Sequence, residues 1–554
     1  MVQENLIKLF EDSFRSNWDL PAYSDFGENR NFTYAEIAKK VAELHILFEQ
    51  CGIERNEKIA LLGKNSSHWA ITYVATVTYG AVVVPILHDF NPNDVQHIIN
   101  HSESKLLFAE NNLWTPLENR ELENLKAVFS LNDFSCIESS ADRKKLQPNA
   151  ISQHFDKKYP NGFAREDVKY AEKSNAELAS IVYTSGTTGF SKGVMTTCNN
   201  LAGNIIFAFD TKLIAPGYRL VSFLPLAHAY GCAFDFLAST CAGCHITFVG
   251  KIPSPQILLK AFADVKPSVI LMVPLLLEKI YKKRVLPKIS RPPVALMLKT
   301  PGLDKLILKK IKKSLVKALG GEFIEVVIGG APLSEEVEAF FRRMNFPFTI
   351  GYGMTECAPI ISYSNHKEFK LGSSGKILNT MEVKVRKPDP ETGIGELCVR
   401  GENVMEGYYK NPEATAEVFE DGWLRTGDLG TVDADGTIFI RGRAKTMILS
   451  GSGQNIYPEE IEAKLNNMPY IAESLVLEHN DKLVALVYPD NETIEAENLS
   501  PEQLERKMEE NRKTVNRILG SYEKITKIRI FPNEFEKTPK KSIKRFLYSV
   551  DGLK

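Results

Sequence analysis

The sequence predicts an α/β protein. A large N-terminal domain of largely parallel βαβ sheets carries a small antiparallel β subdomain, and a smaller α+β C-terminal domain follows. Three observations predict it. Short apolar runs alternate with helical patterns from Lys58 to about Ile350, a rhythm that builds parallel sheets with helices on both faces. After Glu356 the texture changes to short strands separated by turn residues, and after the stretch Arg443 to Lys445 it changes again to mixed helix and strand. The chain has 554 residues, too many for one compact domain, and 44% of them are hydrophobic, enough to fill more than one core. The expected division is residues 1–443, with the β-rich part at about 357–443, followed by 444–554.

The elements follow in order. "KIALLG" is a strand, "SSHWAITYVATVTYG" a helix and "AVVVPI" a strand. "ELASIVYTS" is a buried strand that leads into the loop "YTSGTTGFSKGV", and "CNNLAGNIIFAFD" after the loop is a helix, so the loop lies at a strand's C-terminal end, where α/β proteins bind ligands. "PSVILMV" and "FIEVVIG" are strands, the second followed by helix "SEEVEAFFRRM". The turn-rich segment "GSSGKILNTMEVKVRKPDPETGIGELCVRGENV" is a small antiparallel barrel or sheet. The last segment holds helix "PEEIEAKLNN", a hairpin "ESLVLEHNDKLVALVYP" turning at Asn480 and Asp481, and helix "SPEQLERKMEENRKTVNRIL".

The loop from Tyr183 to Val194 packs hydroxyls and glycines around one cation, Lys192. It is not a Walker A loop, because Lys192 follows Ser191 and Gly193 stands where Ser or Thr should hold magnesium. The physics is that of a phosphate cradle all the same: glycines admit close backbone approach, hydroxyls donate, and the lysine adds a point charge.

A net charge of -1 argues against nucleic acid as the main partner. The N-terminus "MVQENLIKLFEDSF" lacks the features of a signal peptide, and apolar runs such as "VILMVPLLL" are too short to span a bilayer, so a cytosolic protein is expected. Eight scattered cysteines suit a reducing compartment. Cys241 and Cys244, beside His245, have no second pair at zinc-site spacing and read as buried thiols. From Lys282 to Lys317 the chain is rich in lysine and arginine, with Asp304 as its only acid. Such a run is either a solvated helix face or a surface that attracts anionic lipid or a phosphorylated cosubstrate.

Six segments in fixed order carry a specific resemblance: "YTSGTTGFSKGV", "LPLAHAYG" (Leu224 to Gly231), "GGAPLS" (Gly329 to Ser334), "GYGMTE" (Gly351 to Glu356), "DGWLRTGDLG" (Asp421 to Gly430) and "RGRAKTMILSGSGQNIYPEEIE" (Arg441 to Glu462). The set resembles the adenylate-forming superfamily, and most of all its fatty acyl-CoA ligases. The resemblance implies ATP, Mg2+ and coenzyme A as cofactor and cosubstrates: a carboxylate reacts with ATP to give acyl-adenylate and pyrophosphate, and a thiol then gives the thioester and AMP. It implies that Thr184, Ser185, Gly186, Thr187, Thr188, Gly189 and Lys192 hold the β- and γ-phosphates. Gly330, Ala331 and Pro332 form an adenine-side wall with Gly351, Tyr352 and Gly353, where the Tyr352 ring stacks on adenine. Thr355 contacts the α-phosphate, Glu356 and Thr184 serve magnesium, and Asp428 and Arg443 take the ribose. His228 lines the carboxylate site, where a satisfied core histidine is the bland alternative. The helix "GCAFDFLAS" and Cys357, Ala358 and Pro359 face the acyl group with mostly apolar walls. Lys445 occupies the hinge position about which a mobile C-terminal domain rotates between the two half-reactions.

One element of the family pattern is missing. A lysine near the C-terminus stabilises the charge developing on the α-phosphate, and here Ser542 stands in its place within "EKTPKKSIKRFLY". Lys541 is adjacent and Lys544 two residues on, so either replaces it or the group is lost. The segment "LSGSGQNIYP" leaves the thiol-side contacts around Gly451 and Gly453 open. The competing readings are an acyl-AMP ligase that loads a carrier protein and a non-catalytic nucleotide- or lipid-binding relative. Asp235 is the only acid near the acyl helix that could hold an amino group, and its offset from His228 does not match that use. Oligomeric state is not legible.

Overall fold

The computed structural model describes residues 2–184, 191–250, 254–449, 455–479, 482–520, 523–538 and 543–550. Its largest sheet has eight strands, in the order Gly407–Tyr408, Lys192–Thr197, Leu178–Thr184, Val82–Ile86, Lys58–Leu62, Leu106–Ala109, Ala127–Ser130 and Cys136–Ser139. The pairings among its five middle strands, Leu178–Thr184 through Ala127–Ser130, are parallel, and those at both edges are antiparallel. The middle strands Lys58–Leu62, Val82–Ile86 and Leu106–Ala109 are almost wholly buried, which is why they read as continuous apolar runs and not as alternating ones. Helix Ser67–Tyr79 is buried on every side, starts at an N-cap where Ser66 accepts from the Trp69 amide, and stops where Gly80 takes a φ of 94°.

Two further sheets flank it. One orders Arg219–Ser222, His245–Phe248, Pro21–Asp25 and Asn31–Thr33; the other orders Val269–Met272, Glu325–Ile328 and Phe348–Ile350, all parallel. From Tyr352 to Arg443 the pairings are antiparallel: Tyr352–Gly353 with Ile360–Tyr363, and a five-stranded sheet built on Gly395–Gly401 and Trp423–Val432. One hydrophobic core runs through these elements from Leu6 to Ile438, and separate cores hold Ile456 to Ile525 and Leu475 with Phe535.

The C-terminal elements include helix Pro458–Leu465, antiparallel strands Ile471–His479 and Lys482–Pro489, and helix Pro501–Ile518. The expected hairpin is present as this strand pair, and its turn residues Asn480 and Asp481 lie outside the described residues. Polar ties join this segment to the rest: Lys282 donates to the Asn466 carbonyl, Lys283 pairs with Glu492 at 2.8 Å, and Asn467 Nδ2 donates to Ser334 Oγ at 2.6 Å.

The main departure from the sequence reading is at the glycine- and hydroxyl-rich loop. A helix does not follow it directly. Strand Lys192–Thr197 intervenes, antiparallel to Leu178–Thr184, with Thr184 opposite Lys192 and Tyr183 opposite Gly193, so residues 185–190 connect a hairpin. Helix Cys198–Asp210 begins only after Thr197, whose hydroxyl accepts from the Asn200 amide while Asn200 accepts from Thr197.

Candidate active site

The hairpin presents Lys192 at the start of its second strand. A third strand, Gly407–Tyr408, pairs with it, Tyr408 opposite Val194, and the Tyr409 amide donates to the Gly193 carbonyl at 2.7 Å. This pairing brings Tyr408 beneath the lysine, with Lys192 Nζ 4.9 Å from the ring centroid, a cation–π distance. The same phenol donates to Glu356 Oε1 at 3.0 Å. Asn200 fixes the approach to that strand by donating to the carbonyls of Glu402 and Val404. One aromatic residue thus joins a cation and a carboxylate that lie 164 positions apart in sequence. Ser185, Gly186, Thr187, Thr188 and Gly189 lie outside the described residues, and Thr184 is half-buried at the end of its strand.

A second group of residues surrounds a cavity of about 540 Å³. Gly330, Gly351, Tyr352, Gly353, Thr355 and His228 all line it. Gly353 must be glycine for packing reasons, because a Cβ there would sit 2.3 Å from the Pro359 carbonyl oxygen. Tyr352 Oη donates to Asp428 Oδ2 at 2.6 Å, and Arg443 Nε lies 2.7 Å from Asp428 Oδ1. Strand register explains the second contact, since Asp428 on Trp423–Val432 pairs directly with Arg443 on Ile438–Arg443. Asp428 is buried and Arg443 is exposed. Burial raises the Asp428 pKa above the usual carboxylate value, and the neighbouring guanidinium opposes the rise. Ala331 and Pro332 are exposed and are not among the residues that line the cavity.

Thr355 also lines a second cavity, of about 330 Å³, between the wide-turned π-helix Gly231–Ala238 and the large sheet. Its walls are small or apolar, among them Ala227, Ala229, Cys232, Ala233 and Ala358. Asp235 is buried on the same helix, and burial holds its carboxyl well above the usual range. Cys357 is fully buried, and Pro359 lines the larger cavity. Cys241 and Cys244 are buried thiols, the latter pushed up to about 12 by burial.

Lys445 is exposed, just beyond the strand that carries Arg443, and the Ala444 amide is held by the Gly427 carbonyl at 2.8 Å. Lys541, Ser542, Gly451 and Gly453 lie outside the described residues. Lys544 lies 3.6 Å from Glu536 within the C-terminal segment.

The family model of the AMP-binding enzymes matches residues 10–409. This chain belongs to the AMP-binding enzyme family. Over 93% of its length this AMP-binding enzyme is 29% identical to a long-chain-fatty-acid–CoA ligase of Mycobacterium bovis, covering 89% of that protein. It is 28% identical to long chain acyl-CoA synthetase 3 of Arabidopsis thaliana over 89% of this chain and 79% of that one. Its fold matches solved structures throughout. The anthranilate CoA ligase AuaEII with bound anthranoyl-AMP gives a TM-score of 0.77 at 19% identity, covering 98% of this chain and 96% of that one. ATP-bound MatB of Rhodopseudomonas palustris gives 0.74 at 23% identity, covering 98% of both.

Within this AMP-binding enzyme the sequence reading missed Tyr408. The dipeptide Tyr408-Tyr409 in "GYYKNP" was the available signal, but its partners come from strands more than 200 positions earlier and from Glu356, a proximity that periodicity does not reveal. Residues that fit magnesium are present. Glu356 offers a hard carboxylate oxygen beyond the one that Tyr408 engages, and Thr184 a hydroxyl. No cluster of three or more acidic, histidine or cysteine side chains occurs among the described residues, so phosphate oxygens would complete the shell, which is how magnesium is usually held.

Proposed function

We propose that this enzyme activates a fatty acid with ATP as acyl-adenylate and then transfers the acyl group to coenzyme A, giving acyl-CoA, AMP and pyrophosphate. One observation carries the reading: Thr355 lines both the larger cavity, which it shares with Tyr352 and His228, and the apolar slot walled by small side chains, so a nucleotide and a hydrocarbon chain would meet at one hydroxyl. In the first half-reaction a carboxylate oxygen forms a bond to the α-phosphorus and the bond to pyrophosphate breaks. In the second, the thiolate of coenzyme A bonds to the acyl carbonyl carbon and AMP leaves with the electron pair.

The side chains divide the work. Lys192 would hold the charge of the departing pyrophosphate, Tyr352 would stack on adenine, and Asp428 with Arg443 would take the ribose hydroxyls. His228 would face the carboxylate, and Glu356 with Thr184 would hold magnesium, whose charge neutralises phosphate oxygens. Long-chain preference rests on the names of the relatives, and a hinge near Lys445 between residues 1–443 and 444–554 rests on the separate hydrophobic cores. Pyrophosphate and AMP release across a series of fatty acids, with and without coenzyme A, tests the reading. Thioester that depends on acid, ATP and coenzyme A together is expected; acyl-adenylate without thioester would point to carrier loading, and no turnover would overturn the ligase.

The enzyme would work in the cytoplasm with peripheral membrane contact through the basic run 282–317. Among the described residues no helix is long and apolar enough to cross a membrane. Lys282 and Lys283 are engaged by the C-terminal segment, which removes them from the candidate surface. The remainder supports it. Lys305, Lys309, Lys310 and Lys313 are exposed on helix Leu303–Ala318 without an acidic partner among the described residues, and Leu296, Met297, Leu303 and Leu306 are exposed beside them. Cations around exposed apolar side chains suit the headgroup region of an anionic bilayer. Binding to vesicles rich in anionic lipid is expected to weaken with salt and to fall when these four lysines become glutamine; unchanged binding would remove this surface.

A further inference from the structure

The hairpin that carries Lys192 has a support that the assigned site does not use. Helix Pro92–Ser102 ends against it with two histidines one turn apart, His97 and His101, whose rings stack at 5.4 Å. His101 Nδ1 shares a hydrogen bond of 2.7 Å with Tyr183 Oη, and its ring meets both Tyr183 and Tyr409 edge-on, with centroids 5.8 and 5.7 Å away. Tyr183 is the residue paired with Gly193, and its ring lies so close that a Cβ on Gly193 would come within 3.1 Å of Cζ. Tyr409 closes the other side, with its amide on the Gly193 carbonyl.

Around this centre lies a ring of charges. Lys410 pairs with Glu103 at 2.9 Å and donates to the His101 carbonyl, Tyr409 Oη donates to Glu103 at 3.4 Å, and Lys58 and Lys410 flank the Tyr409 ring. Burial foremost, then His97 and Lys410, hold His101 toward its neutral form, while Glu103 opposes them. The neutral ring keeps its bond to the Tyr183 phenol in either tautomer. Each partner of His101 therefore grips one of the two strands that flank Lys192, and Tyr409 is the chain neighbour of Tyr408, the ring on which Lys192 rests.

We propose that His101 is a positioning residue for phosphate binding: with Tyr183 and Tyr409 it clamps the base of the hairpin so that Lys192 is presented over Tyr408, beside Glu356. The proposal rests on the nucleotide-site reading and adds to it a support outside the motif. Nothing in the clamp touches the side of the site formed by Tyr352, Asp428 and Arg443, so its loss separates two nucleotides that share a base and differ in phosphates.

The test is calorimetric affinity of the full chain for magnesium-ATP and for AMP, in His101→Ala, His101→Asn and Tyr183→Phe. Losing one positioned hydrogen bond and its packing is expected to weaken ATP about tenfold in His101→Ala and to leave AMP unchanged. His101→Asn, whose amide reaches the place of Nδ1, is expected to recover most of the loss, and Tyr183→Phe to reproduce it in part. Equal weakening of ATP and AMP, or none of either, would overturn the clamp, since a general packing role moves both alike. A parental protein that binds neither nucleotide would instead remove the nucleotide site itself, and the clamp with it.

Discussion

Asp428 is a buried carboxylate whose two oxygens are taken by a phenol and a guanidinium. Its folded pKa is raised, burial being the larger cause, so its contribution to stability is present below the unfolded value near 4 and is lost as pH rises through the folded value. At neutral pH the ionised group therefore costs stability, a cost that the proposed ribose contact would account for. Asp428→Asn is expected to flatten the rise in thermal stability toward acid pH and to leave the neutral midpoint no lower than the parent's. The same variant is expected to lose about 2 kcal/mol of AMP binding, roughly thirtyfold, because a charged acceptor is gone. Scanning calorimetry with AMP titration checks both, and a midpoint that falls together with affinity would show that the carboxylate supports the fold.

Arg545 ties the C-terminal elements together. It donates to both oxygens of Glu462 on helix Pro458–Leu465, at 2.7 and 2.9 Å, and to the Val476 carbonyl on strand Ile471–His479. Glu462 is buried and pushed up to about 7, burial outweighing the arginine. Its contribution to stability is present below the unfolded value near 4.3 and is lost as pH rises through about 7. Arg545→Ala leaves the ionised carboxylate unpaired, so the expected loss is about 3–5 kcal/mol at about pH 8 and clearly smaller at about pH 5. Denaturant melts at both values decide; an equal loss at each would mean that packing, not charge, dominates.

Most of these elements were legible from apolar rhythm, because a buried parallel strand such as Val82–Ile86 leaves an unbroken run and a capped helix such as Pro501–Ile518 announces both ends. Strand Lys192–Thr197 was not. It runs from a glycine-rich loop into a helix with no turn residue at Thr197, whose hydroxyl serves as the N-cap, so the β-branched Val194, Thr196 and Thr197 were its only mark. In the candidate site, motif resemblance singled out Asp428, Tyr352 and Arg443, which the structure brings into contact. The contacts of Tyr408 with Lys192 and of His101 with Tyr409 arise from strand order, which places residues more than 200 positions apart side by side.

Across the whole molecule, the hinge reading makes its own prediction. Lys445→Pro fixes φ beside the proposed pivot, so it is expected to leave pyrophosphate release near the parental rate while slowing thioester formation by tenfold or more. Thioester at the parental rate would move the pivot elsewhere. On the hinge reading, the ties between the C-terminal segment and the rest would be a second control. The Lys283–Glu492 pair is 67% and 81% exposed, and the other two ties are single hydrogen bonds. An exposed ion pair of this kind is worth only about 0–1 kcal/mol and weakens further as salt screens it. On that reading the dwell time of this arrangement would depend on the surrounding electrolyte, and buffer salt would become a throttle on how often the enzyme changes between its two half-reactions.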